Sequence, residues 1–159
     1  IADTELDLVL ERVVPLTPNQ IYRGWTEPKL ITQWFTPKPW RTPHAEVDLR
    51  PGGKFVTVME GLEGERFEGE GCFLELVPDR KIVWTSALKR DYRPQNAPNG
   101  GFAFTCTLTL TPEGSGTRYR AIACHADADG AKAHADMGFH DGWSAALDQL
   151  VDLMSNGSA

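Results

Sequence analysis

A switch of hydrophobic period late in the chain constrains the fold most. Residues 102–110 alternate between apolar side chains and alanine or threonine, and this period of two is typical of a strand with one buried face. From Phe139 onward, apolar residues recur at steps of three and four, which predicts an amphipathic helix of about 25 residues that begins near Asp129. A single helix of this kind must bury its apolar face on the sheet that precedes it.

The segments before that helix complete an α+β pattern. Residues 6–11 alternate as an opening strand, and Thr17 and Gln20 form the capping box of a short helix. A second short helix follows at Pro28. Turns rich in glycine and proline then separate about six strands between Ala45 and His125. We therefore expect one strand, two short helices, a six-stranded antiparallel sheet and a long C-terminal helix.

Length and composition indicate one globular domain covering residues 1–159. The length is close to the roughly 150 residues of an average domain, and 41% hydrophobic and 24% charged residues are ordinary proportions. The net charge of -6 disfavours nucleic acid as a partner. No uninterrupted apolar run approaches about 18 residues, so we expect no membrane span.

Cysteine usage favours a reducing compartment. The three cysteines, Cys72, Cys106 and Cys124, are too few and odd in number for a disulfide framework. Each lies in a predicted strand among apolar neighbours, so we expect inert buried thiols and a cytoplasmic location.

Several short motifs together resemble a known family over about residues 5–154. They are WTEP at 25–28, QWF at 33–35, LRPGG at 49–53, LVPDRKIVWT at 76–85, MGFHDGW at 137–143 and LDQL at 147–150. The chain resembles bacterial proteins related to the C-terminal domain of the activator of the heat-shock-90 chaperone ATPase, within the START-like (SRPBCC) superfamily.

The resemblance implies a helix-grip fold with a hydrophobic cavity between the long helix and the sheet. In many relatives that cavity holds an apolar molecule. The resemblance implies no particular reaction and no cofactor. The eukaryotic chaperone activators carry an additional N-terminal domain with no counterpart in these 159 residues, so we do not expect chaperone activation.

Three histidines near the C-terminal helix raise the question of a metal site. His134 and His140 are six residues apart, whereas two ligands on one helix face are usually about four apart. With His125 at the end of the last strand, we interpret these residues as a polar lining of the strand-to-helix connection and expect no metal. We interpret His140 as a hydrogen-bonded core residue.

Two carboxylates on the long fourth strand allow two interpretations. Glu68 and Glu70 share a face with Cys72. If that face points inward, one of them is a candidate acid or base with a raised pKa. If it points outward, both are surface charges, which is the interpretation we favour.

The aromatic residues carry the functional prediction. On the last strand, alanines at 121 and 123 would leave room beside Tyr119 and His125 if that face is inward. We predict a small-molecule-binding protein that holds an apolar or aromatic ligand. The predicted ligand-binding residues are Trp34, Trp84, Tyr119, His125, Phe139 and Trp143.

Two alternatives from other functional classes stay open. One is a cyclase, dehydratase or hydrolase that uses His125, Tyr119 or Glu70 in the same cavity. The other is an interaction protein, either a chaperone adaptor or a homodimer, using exposed aromatics such as Trp40 and Tyr92. Its candidate surface is the loop at residues 88–101.

Overall fold

The computed structural model describes residues 3–97 and 101–155. In chain order the elements are β1 (Asp7–Val14), α1 (Pro18–Thr26), α2 (Pro28–Trp34), β2 (Arg41–Val47), β3 (Lys54–Glu60), β4 (Arg66–Val77), β5 (Lys81–Thr85), β6 (Leu88–Lys89), a 3-10 turn (Arg90–Tyr92), β7 (Arg93–Pro94), β8 (Phe104–Glu113), β9 (Gly116–His125), α3 (Ala128–Asp136) and α4 (Phe139–Ser155). Within these two ranges, none of the helices is long and apolar enough to cross a membrane.

The main sheet is antiparallel and contains seven strands in the order β1-β9-β8-β5-β4-β3-β2. β1 pairs with β9 along its whole length, from Asp7 opposite Cys124 to Val14 opposite Thr117. The opening strand therefore joins the six strands that follow the short helices. The predicted α+β order and the helix-grip fold are confirmed.

Side-chain capping by Thr17 explains why α1 begins at Pro18. The Thr17 hydroxyl accepts a hydrogen bond from the Gln20 backbone N–H at 3.1 Å, and the Gln20 side chain accepts from the Thr17 N–H at 2.8 Å. This is the predicted capping box. α2 follows after Glu27 and begins at Pro28, whose fixed φ suits a first helical position.

Burial along β9 settles which face of the sheet is inward. Its buried residues alternate with partly exposed ones, as period-two packing requires. The buried positions are Thr117, Tyr119, Ala121, Ala123 and His125. The apolar stripe of α4, including Leu147 and Leu150, lies in the same hydrophobic core.

The prediction of a single C-terminal helix from near Asp129 is wrong in one respect. Two helices are present, and they are separated at Met137 and Gly138. Gly138 has φ +91°, a left-handed conformation that interrupts a helix and that glycine adopts without steric cost. The Asp127 side chain caps α3 by accepting from the Gly130 N–H at 2.8 Å. The predicted apolar stripe from Phe139 onward belongs to α4.

One strand begins earlier than predicted, and another contains an irregularity. β2 begins at Arg41 instead of Ala45 and contains Pro43. This proline is tolerated because β2 is an edge strand, where one side of the backbone needs no ladder partner. β4 has a register shift between Phe73 and Glu75, which changes which side chains face the core on either side of it.

The segment predicted as a loop at residues 88–101 contains a short hairpin in its described part. β6 and β7 pair across the 3-10 turn. Gln95 anchors this hairpin to the sheet, because its amide donates to the backbone oxygens of Glu70, Ser86 and Leu88 at 2.6–3.2 Å. Residues 98–100 of the predicted loop lie outside the described residues.

Candidate functional site

The six predicted ligand-binding residues lie in or against the core between α4 and the inner face of the sheet. Contacts between aromatic and imidazole rings connect them into one set, which we call the ring cluster. Its histidine end consists of Phe102, Phe104, His125, His134, Phe139 and Trp143. Its tryptophan end consists of Trp25, Trp34, Phe35, Phe55 and Tyr119. Trp84 joins the two ends.

Four elements build the histidine end. Phe139 and Trp143 are one turn apart on α4, and their ring centroids are 4.7 Å apart. Trp143 lies 6.0 Å from Phe104 of β8, edge to face. His134 comes from α3 and His125 from β9. Since Phe104 and Trp143 are only partly buried, the cluster reaches the surface at this end.

Trp84 of β5 occupies the middle of the cluster. Its ring centroid lies 5.3 Å from Phe104 and 5.0 Å from Phe55. Its indole Nε1 is buried and has no hydrogen-bond partner among the described residues. Cys106 lies opposite Trp84 in the sheet without forming a hydrogen bond to the indole, and burial raises the pKa of its thiol. A buried N–H without a full partner calls for an explanation in a native structure.

The tryptophan end already satisfies its polar atoms. The Trp25 indole donates to the Tyr119 hydroxyl at 3.3 Å, and the Trp34 indole donates to the Gly24 carbonyl at 2.8 Å. Burial raises the pKa of Tyr119. Its hydroxyl therefore serves as a structural partner of Trp25 in this structure and is a poor acid or base near neutral pH.

A direct hydrogen bond joins the two buried histidines. Nε2 of His125 lies 2.9 Å from Nδ1 of His134, and Nδ1 of His125 lies 2.8 Å from the Leu6 carbonyl oxygen. Burial, followed by the nearby His125, lowers the pKa of His134 to about 4. His134 is therefore neutral at physiological pH and a weak proton acceptor in the acid-base sense.

A pocket of about 270 Å³ adjoins the tryptophan end. Trp34 and Phe35 of the cluster form part of its wall, together with Trp40 and Gln149. Gln149 of α4 holds the loop after α2 in place, because its amide donates to the carbonyls of Trp34 and Thr36 at 2.9 and 3.0 Å. The larger cavity expected between helix and sheet stays a prediction.

The carboxylates of β4 lie away from the core. Glu68 is exposed, and Glu70 receives three hydrogen bonds from Arg90 at 2.8–2.9 Å. Arg90 holds the pKa of Glu70 at about 2. The favoured interpretation of these residues as surface charges agrees with this geometry. The raised carboxyl pKa that acid-base catalysis would require is not found at Glu70.

The structure places the histidines in different surroundings. Among residues 3–97 and 101–155, no group of three or more His, Cys, Asp or Glu side chains is arranged to hold a metal ion. His140 is exposed on α4, so its interpretation as a core residue is wrong. His134, which the sequence suggested only as a lining residue, is the buried partner of His125.

Sequence reasoning also missed Phe102, Phe104 and His134 as site residues. Phe104 lies in the regularly alternating segment 102–110, on the same face as the other apolar residues, and this alternation was the available signal for its inward position. His134 gave no such signal, because its approach to His125 depends on the separation of α3 from α4 at Gly138.

Known proteins support the fold and the family. A structure from Nitrosomonas europaea is 44% identical, with TM-score 0.93 and coverage of 99% of each chain. Structures from Mycobacterium smegmatis (23% identity, TM-score 0.75, 94% of this chain and 91% of that chain) and Rhodobacter sphaeroides (19% identity, TM-score 0.85, 98% and 97%) share the fold. No curated protein matches.

A family profile covers most of the chain. The family described as "Activator of Hsp90 ATPase homolog 1-like protein" matches residues 15–155. That range includes α1, α2, six strands of the main sheet and both C-terminal helices. The chain belongs to this family of activator of Hsp90 ATPase homolog 1-like proteins.

Proposed function

We propose that this protein binds an apolar or aromatic small molecule between α4 and the sheet, against the ring cluster. One observation carries the proposal: the cluster runs from the buried core to the surface, where Phe35, Phe104 and Trp143 stay partly exposed. Aromatic rings that are open on one side and fixed by a core on the other are typical of pockets for small apolar ligands.

The unpaired indole of Trp84 supports a ligand that is not purely hydrocarbon. Its N–H is buried beside Phe104 with no partner in the described part of the chain. An acceptor oxygen on a bound molecule would satisfy it. We therefore propose Trp84 as the residue that orients the ligand, with Phe139 and Trp143 contacting its apolar part. Trp34, Tyr119 and His125 complete the proposed lining.

Affinity can be bounded from general principles. A two-ring ligand that buries about 200 Å² of apolar area would gain roughly 5 kcal/mol before the cost of association. We expect dissociation constants of about 0.2 mM or weaker for such simple probes.

Tryptophan fluorescence tests the proposal with matched variants. A naphthalene-class probe should quench the wild-type signal saturably, and Trp143→Ala should weaken binding by roughly tenfold, because one large aromatic contact is lost. Tyr92→Ala is the control, since Tyr92 is 50% exposed and packs over Gly52 outside the cluster. Equal affinity in all three proteins, or no saturable binding, would contradict the proposal.

A third variant locates the ligand within the cluster. Trp40 lines the pocket at the tryptophan end but belongs to neither end of the cluster as defined. Trp40→Ala should leave affinity unchanged if the ligand lies between α4 and the sheet near Trp84. A loss in Trp40→Ala but not in Trp143→Ala would move the site to that pocket.

The family description also names activation of Hsp90, and a chaperone partner is the alternative to distinguish. Our proposal requires no chaperone contact. Immobilised bacterial Hsp90 should therefore not retain this protein at micromolar concentration. Retention that is unaffected by Trp143→Ala would favour the adaptor function instead.

A further inference from the structure

The hydrogen bonds of the two buried histidines indicate which ring nitrogen of each carries its proton. The Leu6 carbonyl oxygen can only accept, so Nδ1 of His125, 2.8 Å away, must carry a proton. In the neutral form of His125, which carries one proton, Nε2 therefore accepts. The bond of 2.9 Å to His134 then requires Nδ1 of His134 to donate.

This chain of bonds leaves Nε2 of His134 as an unprotonated acceptor. His134 is neutral because burial and His125 disfavour a second proton. His134 is 7% exposed, and His125 is 6% exposed. Within the described residues, Nε2 of His134 has no hydrogen-bond partner. An imidazole acceptor without a protein partner is free to accept a hydrogen bond from water or from a bound molecule.

Aromatic rings surround the imidazole of His134. Its centroid lies 4.7 Å from both Phe102 and Phe104, 5.0 Å from Phe139 and 6.2 Å from Trp143. A molecule that binds against His134 therefore also meets these rings. Such surroundings favour a flat aromatic body over a charged or strongly hydrated one.

We infer that the ligand carries an aromatic hydroxyl group whose O–H donates to Nε2 of His134. The inference rests on the proposed function and specifies its ligand class. A hydroxyl is favoured over an amide or ammonium donor, because those groups would bring further polar atoms or a charge among the phenylalanine rings without partners. The relay from Leu6 through His125 to His134 then ends on the ligand oxygen.

Two probes of the same shape test this inference. 2-Naphthol has a hydroxyl donor, whereas 2-methoxynaphthalene has the same rings and an oxygen that only accepts. Calorimetric titration of the wild type should show 2-naphthol binding roughly five- to tenfold tighter, as one net hydrogen bond allows. In His134→Phe the preference should vanish, while His44→Phe, a change of an exposed histidine on β2, should preserve it.

The outcomes separate this inference from the proposed function. Equal, saturable binding of both probes to the wild type would overturn the hydroxyl assignment and leave the proposed function standing. Failure of both probes to bind would count against both. A preference for 2-naphthol that persists in His134→Phe would also overturn the role of His134.

A measurement on the unmodified protein covers the case in which His134→Phe does not fold. Long-range proton–nitrogen NMR spectra distinguish protonated from unprotonated imidazole nitrogens. We expect both His125 and His134 to carry their protons on Nδ1, and saturation with 2-naphthol to shift the Nε2 signal of His134. A proton on Nε2 of His134 in the free protein would overturn the inference.

Discussion

At the scale of single residues, the chemistry of the ring cluster depends on which nitrogen atoms of two histidines carry protons. Histidine is exposed at His140 on α4 but buried at His134 on α3, where burial lowers its pKa. Glu70 shows the opposite case, since its Arg90 partner stabilises the charged form. Local surroundings, more than residue type, decide which groups are available to a ligand.

Acid should destabilise the protein through His134. The unfolded chain takes up a proton near the ordinary histidine pKa of about 6.5, whereas the folded pKa is about 4. Between these values the unfolded chain binds more protons. The free energy of unfolding therefore falls as the pH drops from about 6.5 to about 4, and this contribution is constant above that window. Urea unfolding at about pH 7 and about pH 4.5 measures the difference.

Two variants assign that acid sensitivity to His134. In His134→Gln the side chain can still donate to His125 but does not titrate, so the fall in stability should shrink by roughly 1–2 kcal/mol. His140→Gln changes an exposed histidine and should retain the wild-type response. An unchanged response in His134→Gln would refute the assignment.

At the scale of secondary-structure elements, the separation of α3 from α4 positions the histidine end. The pattern after Phe139 correctly predicted α4, but the stretch from Asp129 was predicted to continue as one helix. A glycine within a helical pattern is compatible with continuation, with a break or with a cap. The positive φ at Gly138 decides this, and it depends on how each helix packs.

Alanine substitutions at two nearby glycines should have opposite effects. At Gly138, with φ +91°, alanine should lower the free energy of unfolding by about 1–2 kcal/mol, because a Cβ disfavours the left-handed region although no atom obstructs it. At Gly142, inside α4, the nearest atom to a new Cβ is Pro37 Cγ at 3.9 Å. Alanine there should be neutral or stabilise by up to about 1 kcal/mol. Urea denaturation of both variants checks this.

Unchanged or increased stability in Gly138→Ala would mean that the break at Gly138 does not depend on backbone conformation. α4 would then be expected to begin at the same residue in Gly138→Ala. Chemical-shift analysis of residues 136–140 would show whether the helix has become continuous.

The inward faces of the strands were only partly predictable from sequence. On β9 the alternation around Tyr119 and His125 predicted one face, but not whether that face was inward. On β4 the register shift between Phe73 and Glu75 means that no single alternation describes the strand. The alternation of apolar residues indicates which side chains share a face within a regular strand, but this relation is lost across a bulge.

At the scale of the whole molecule, the order of elements was sufficient to predict the helix-grip fold. One amphipathic helix after a run of antiparallel strands has few ways to bury its apolar face. The contacts that give the ring cluster its character are between residues distant in sequence, such as Trp25 and Tyr119. Such contacts follow from the packing of elements and not from local pattern, so the aromatic residues of the ring cluster could be expected from the sequence but the contacts between them could not.

A titration observed by proton–nitrogen NMR tests directly whether a small aromatic molecule binds between α4 and the sheet. The five tryptophans supply indole N–H reporters, at Trp25, Trp34, Trp40, Trp84 and Trp143. With 2-naphthol, we predict saturable shifts that are largest for Trp84 and Trp143, with Trp40 nearly unaffected. Shifts that do not saturate, or that affect Trp40 while leaving Trp84 and Trp143 unchanged, would contradict it.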